Sequence, residues 1–143
     1  MERYIAFDIG DRRIGIAVSD PFNSYALPSQ TYVRTGFRRD IEALVKVIRE
    51  KGATAMVCGL PVNVDGTPSE QTEKTERFIR ALEEAAGMTA VREDERYTSV
   101  VAHEQLREGG RKAKEHKKYV DALAAANILD GFLAKLRKQG ENL

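Results

Sequence analysis

Residues 53–58, Ala-Thr-Ala-Met-Val-Cys, form a nearly unbroken apolar run of strand length between two segments with helical features. A strand with no polar face must be covered on both sides, as in the parallel part of a sheet flanked by helices. The flanking segments agree with this. Ile41, Leu44, Val45 and Ile48 recur at helical spacing within residues 37–51, and Gly52 is suited to end that helix. Gly59-Leu60-Pro61 closes the apolar run, and a second helix is expected to begin with Thr67 as cap, Pro68 at the first position and Glu70 completing a capping box. It runs to about Ala86 and stops at Gly87, before a strand over residues 89–94. Upstream, residues 3–9 and 14–19 read as two strands joined at Gly10-Asp11, an antiparallel hairpin, and a weaker strand over 25–33 is broken by Pro28. Downstream come a helix over residues 98–107, a mobile basic loop over 108–118 and a last helix over 119–137. The order predicts an α/β fold: a mixed sheet, antiparallel where the chain opens and parallel afterwards, with helices on both faces.

Three groups of carboxylates sit where folding alone would not place them. Asp8 lies inside the first strand between Phe7 and Ile9. Aspartate is disfavoured in strands and costly to bury unpaired, although an aspartate capping the Gly10 turn is a competing reading. Asp121 lies near the start of the last helix, on the stripe of Ala125, Ile128 and Phe132 that should pack on the sheet. A favourable interaction with the helix dipole would also account for it. Glu93-Asp94-Glu95 ends the last strand, and alternation puts Glu93 and Glu95 on one face and Asp94 on the other. Such a run is also what a solvated surface carries. Taken together, carboxylates from separate elements converging at one end of the sheet repel one another, and a divalent cation relieves that repulsion. An oxygen-only ligand set suits Mg²⁺ or Mn²⁺ rather than zinc, and two such ions could activate a water and stabilise the leaving oxygen of a phosphodiester.

Composition narrows the setting. The 143 residues, 42% of them hydrophobic, suit one domain spanning 1–143 and argue against disorder. No stretch approaches a membrane span, the N-terminus lacks a signal-peptide core, and the single cysteine, Cys58, reads as a small buried hydrophobe, so a cytoplasmic protein without membrane association is expected. The formal net charge of +1 announces no nucleic-acid binder. It conceals a segregation, however. Residues 65–95 hold nine acids and four bases, whereas residues 96–118 hold seven bases and three acids.

The segment from Phe7 to Asp20, Phe-Asp-Ile-Gly-Asp-Arg-Arg-Ile-Gly-Ile-Ala-Val-Ser-Asp, resembles the first motif of the YqgF family, the resolvase-like RuvX proteins among the RNase H-like nucleases. Gly59 to Gly66 resembles the second motif, Asp94 to Ser99 the third, and Asp121 to Ala125 the fourth, in the family's order along nearly the whole chain. The resemblance implies an RNase H-like fold with a five-stranded mixed sheet whose first three strands are antiparallel. It implies that Asp8, Glu95 and Asp121 are the catalytic, metal-binding acids, choosing Glu95 where the charge pattern alone left the acidic run open. It also implies action on the 5′ end of pre-16S ribosomal RNA, with cleavage of Holliday junctions as the competing activity. Two departures stand out. Tyr97-Thr98-Ser99 replaces the family's usual Leu-Thr-Thr, and Ala124 stands one turn after Asp121, where related junction resolvases carry a second acid.

The remaining candidates concern the substrate, structured RNA or branched DNA. Arg12 and Arg13 flank the presumed site from the hairpin turn, and Arg96 adjoins Glu95. Lys112, Lys114 and Lys117 in the basic segment could hold several phosphates. Asn63 and Asp65 would touch substrate or shape their own loop. Gly10 and Gly15 have P-loop spacing without its lysine and read as tight-turn glycines, and His103 and His116 read as surface residues. A silent nucleic-acid-binding module and a fragment of an actin-like ATPase are the alternatives from other classes, and the expected assembly is a monomer or weak homodimer.

Overall fold

The computed structural model describes residues 1–94 and 113–141, and at 113–118 and 141 the backbone alone. The strands are β1 (Tyr4–Ile9), β2 (Arg13–Ser19), β3 (Ala26–Val33), β4 (Ala55–Leu60) and β5 (Ala90–Asp94). The helices are α1 (Phe37–Glu50), α2 (Glu70–Ala86) and α3 (Ala113–Glu141). One five-stranded sheet runs β3-β2-β1-β4-β5. β1, β2 and β3 are antiparallel neighbours, while β4 lies parallel to both β1 and β5. The expected helix over 98–107 lies outside the described residues.

Alternation along β1 divides the interior in two. Ile5, Phe7 and Ile9 join Met56 and Cys58 of β4 in a core with Leu44 and Ile48 of α1 and Phe78, Ile79 and Leu82 of α2. Ala6 and Val57 turn to the other face and pack on Ile128, Leu129 and Leu133 of α3. The apolar run is therefore covered on both faces, with Met56, Val57 and Cys58 fully buried. Alanines bring α3 close to the sheet, because Ala125 and Ala126 meet Ala17 directly.

Several boundaries differ from those expected. Gly59 and Leu60 continue β4 rather than end it, since they pair with Glu93 and Asp94. Pro28 does not break β3. The strand is at the sheet's edge, where a missing N–H costs no ladder bond, and a register shift at Ile16/Ala17 accommodates it. The cap of α2 is Ser69, not Thr67. Asp65 captures both the N–H and the hydroxyl of Thr67, leaving Ser69 and Thr72 to form the reciprocal box. Residues 113–118, expected in a basic loop, are the first turns of α3. Ala, Lys and Glu are good helix formers, and no glycine or proline follows Gly110 until Gly131. No helix among the described residues is long and apolar enough to cross a membrane.

Candidate active site

Asp8 is one residue from the end of β1, and Gly15 of β2 is its antiparallel partner. Directly opposed residues of an antiparallel pair project from the same face. That face is the one covered by α3, because Asp8 alternates with Phe7 and Ile9 and shares the side of Ala6. A Cβ built on Gly15 would lie 1.7 Å from the main-chain oxygen of Asp121. The main chain of α3 therefore rests on Gly15, and only a residue without a side chain permits that approach. Its effect is to seat the main chain of Asp121 on the strand position paired with Asp8, the other acid singled out from the sequence. Gly15 is thus not a turn glycine. Gly10 is one, its N–H donating to the Arg13 carbonyl across the hairpin at 2.9 Å.

Arg13 also projects from the α3 face, and its Nε donates to Asp121 Oδ2 at 2.6 Å. The guanidinium that the sequence offered to phosphate thus holds a carboxylate of the candidate site. The pair is partly open, with side-chain exposures of 42% for Arg13 and 19% for Asp121. Arg12, at the turn, is exposed.

The end of β5 contributes a further acid to the same face. Gly59 pairs with Glu93, and Cys58, the residue before Gly59, pairs with Phe7. Continuing that register by one residue gives a row across the sheet of Gly15, Asp8, Gly59 and Glu93. Two strand spacings of ~4.8 Å separate the backbones of the two acids. Glu93 is buried, and the ammonium of Lys135 on α3 donates to its Oε1. Glu95, Arg96 and Lys112 lie outside the described residues. Lys114 and Lys117 are on α3 ahead of Asp121, with side chains outside the description. Among the described residues no group of three His, Cys, Asp or Glu side chains is gathered as a metal cage. Asp8 and Asp121 offer only oxygen donors, which suit a hard divalent cation.

Asn63 shapes its loop: its amide donates to Thr67 Oγ1 and to the Pro68 carbonyl. Ala124, at the position where related resolvases carry a second acid, is 1% exposed in the core.

One charged cluster beside the hairpin was not anticipated. Asp40, buried in the first turn of α1, accepts from Arg34 Nε, Tyr32 Oη and the N–H groups of Thr35 and Gly36. Burial pushes its pKa upward, but these bonds outweigh it and hold the carboxyl below the usual range. Arg34 also donates from Nη1 to the Gly10 carbonyl and lies 4.8 Å above the Phe78 ring. The only sequence signal was an aspartate in the first turn of a helix, which is common at solvated helix starts.

A family model described as "RuvX: Holliday junction resolvase" matches residues 2–135. The chain belongs to the RuvX family. Among curated relatives, one from Clostridium novyi is 39% identical over 131 residues, covering 92% of this chain and 97% of the relative. Another, from Koribacter versatilis, is 41% identical over 133 residues, covering 93% and 87%. Both carry the name "Putative pre-16S rRNA nuclease". Among solved structures, Thermus thermophilus RuvC in complex with a Holliday junction substrate superposes with a TM-score of 0.59 at 15% identity, covering 95% of this RuvX-family chain and 96% of RuvC. That likeness is one of fold, and with the strand order it makes the sheet RNase H-like.

Proposed function

We propose that the chain is a metal-dependent nuclease that hydrolyses phosphodiester bonds in the precursor of 16S ribosomal RNA. One observation carries the reading: Asp8 pairs with Gly15, and the main chain of Asp121 is seated on Gly15, which supports the reading that these two acids, from distant parts of the chain, serve one site. Nothing in the packing of a sheet against a helix requires acids there. Asp8 and Asp121, with Glu95 as third ligand, would hold Mg²⁺ or Mn²⁺. Bound there, the ion would supply an activated water and charge stabilisation of the phosphoryl group. Arg13 would compete with the ion for Asp121, and Arg12, Arg96 and the lysines at 112, 114 and 117 are placed in sequence to attract the substrate's phosphates.

The precursor RNA is preferred as substrate because the relatives bearing that name align over nine-tenths of this chain. A junction endonuclease is the second reading, favoured by the family description. Against it stands Ala124, packed in the core where a second helical acid would project.

Purified protein incubated with Mg²⁺ or Mn²⁺ should cut an RNA spanning the 5′ leader of the 16S precursor faster than a four-way DNA junction assayed in parallel. Asp8→Asn should abolish that cutting while leaving the circular dichroism spectrum unchanged. Undiminished cleavage by the variant would show that the activity resides elsewhere.

A further inference from the structure

On the other face of the sheet, a cleft of about 110 Å³ is lined by Ile9, Asp11, Arg34 and Phe37 and by Gln71, Lys74, Thr75, Arg77 and Phe78 of α2. Its position is tied to the candidate active site. Ile9 follows Asp8 along β1 and points the opposite way, and Asp11 belongs to the turn leading to Arg13. The Arg34 N–H donates to the Arg12 carbonyl at 2.9 Å. A strand crossing the hairpin turn from Asp8 therefore arrives at this cleft.

Its chemistry is that of an anion receptor. Arg34 is fixed before any ligand arrives by Asp40, the Gly10 carbonyl and the Phe78 ring, while Nη2 donates to no group among the described residues. Lys74 has only a 3.4 Å contact with Asp11, and Gln71 reaches the same carboxylate at 3.3 Å, both at the long end for hydrogen bonds. Arg77 is exposed and forms no ion pair among the described residues. Thr75 is 2% exposed, and its buried hydroxyl has no hydrogen-bond partner there. Three cations face one carboxylate among the lining groups, and Asp40 sits behind Arg34. At the mouth stands Phe37, 48% exposed and 5.4 Å from Phe78 in a T-shaped pair, an aromatic ring of the kind on which bases stack.

We infer that this cleft is a second subsite for the nucleic-acid strand, taking one backbone phosphate between Arg34, Lys74 and Arg77, with the adjoining base stacked on Phe37. The inference rests on the nuclease reading for the identity of the strand, but not for the presence of the phosphate site. A free nucleotide offers the same phosphate and base, and the experiment separates the two sources.

Binding is measured by fluorescence anisotropy with a labelled single-stranded RNA from the leader, on full-length Asp8→Asn protein so that no cutting intervenes. Lys74→Ala with Arg77→Ala should weaken binding roughly five- to tenfold in low salt. It should also reduce the slope of log affinity against log salt by about 0.7, the share of one single-strand phosphate. Both side chains are exposed, so the fold should be unaffected. Phe37→Leu supplies the second variant. It should weaken RNA binding several-fold while leaving the salt slope unchanged, because a stacking ring but no charge is lost, a split that a purely structural role would not produce. Unchanged affinity and salt slope in both variants overturn the inference. Adenosine monophosphate is the competing probe. If it shifts the Thr75 and Phe37 NMR signals at millimolar concentration while the RNA does not, the site is a nucleotide site and the strand version fails. If the RNA binds through these residues but no leader is cut by the unmutated protein, the subsite stands and the nuclease reading falls.

Discussion

Arg13 and Asp121 show at the scale of single residues how one contact can set the behaviour of a site. A guanidinium 2.6 Å from a proposed metal ligand competes with any cation for that carboxylate. The pair is partly exposed, so its strength is about 0.5–1 kcal/mol, a factor of two to five in an equilibrium constant. Arg13→Gln should therefore tighten Mn²⁺ binding by two- to fivefold, measured by calorimetry. Weaker Mn²⁺ binding would mean that Arg13 instead supports the ligand geometry. Asp40 is a residue-scale case of stability. Its folded pKa is depressed, so in acid the unfolded chain takes up its proton first. The stability it contributes is present above the unfolded value of about 3.9 and is lost as pH falls from there through the folded value. Asp40→Asn keeps the shape but loses the charge-assisted bonds, at a cost of roughly 2 kcal/mol at neutral pH. Urea unfolding from pH 7 to pH 3 should show the variant less stable at neutrality and less sensitive to acid. Parallel curves for the two proteins would rule out a depressed Asp40. Neither residue's partner could be read from the chain, because Arg13 and Asp121 are 108 positions apart and Asp40 resembles any helix-start aspartate.

Among secondary-structure elements, the contact between α3 and β2 decides whether the acids meet. Gly15→Ala places a methyl carbon where the Asp121 carbonyl oxygen stands, with backbone on both sides and no flexible side chain to yield. Overpacking of this kind costs about 1–3 kcal/mol, and the helix must lift or slide to accommodate it. The variant should melt at lower temperature and cut RNA far more slowly than its lost stability explains, because Asp121 moves relative to Asp8. Full activity in a folded Gly15→Ala protein would show that the seating of the helix does not matter. The elements themselves were largely legible. Strand-length segments, one of them an unbroken apolar run, and period-3.6 patterns gave all five strands and the cores of α1 and α2, and the helical stripe through Ala125 and Ile128 gave the inward face of α3. Ends were harder to read. Nothing local says that Asp65 takes Thr67 from the helix cap, or that Gly59 is kept in its strand by Glu93. Gly15 resembled a turn glycine because the cause of its selection, a carbonyl on a helix 106 positions away, is a tertiary fact.

Across the whole molecule, charge follows position along the chain rather than averaging out. Nine acids against four bases over residues 65–95 are followed by seven bases against three acids over residues 96–118, and the second stretch leads directly into Asp121. A formal charge of +1 therefore underestimates the attraction that a polyanion experiences at that end of α3. Because phosphate contacts release counterions, the property to test is the salt dependence of binding rather than affinity at one salt concentration. Each single-strand phosphate neutralised contributes a slope of about −0.7 in log affinity against log salt. If Lys112, Lys114 and Lys117 each hold one phosphate, replacing all three by glutamine should reduce the slope of leader-RNA binding by about two. Affinity at low salt should fall by more than tenfold, with little change near 0.5 M salt, where the electrostatic contribution is mostly screened. The same triple change should leave thermal stability within a fraction of a kcal/mol, since glutamine keeps a long polar side chain of helix propensity close to that of lysine. A triple variant that binds RNA with the original salt slope would place the phosphates elsewhere and leave the basic stretch as solvated surface.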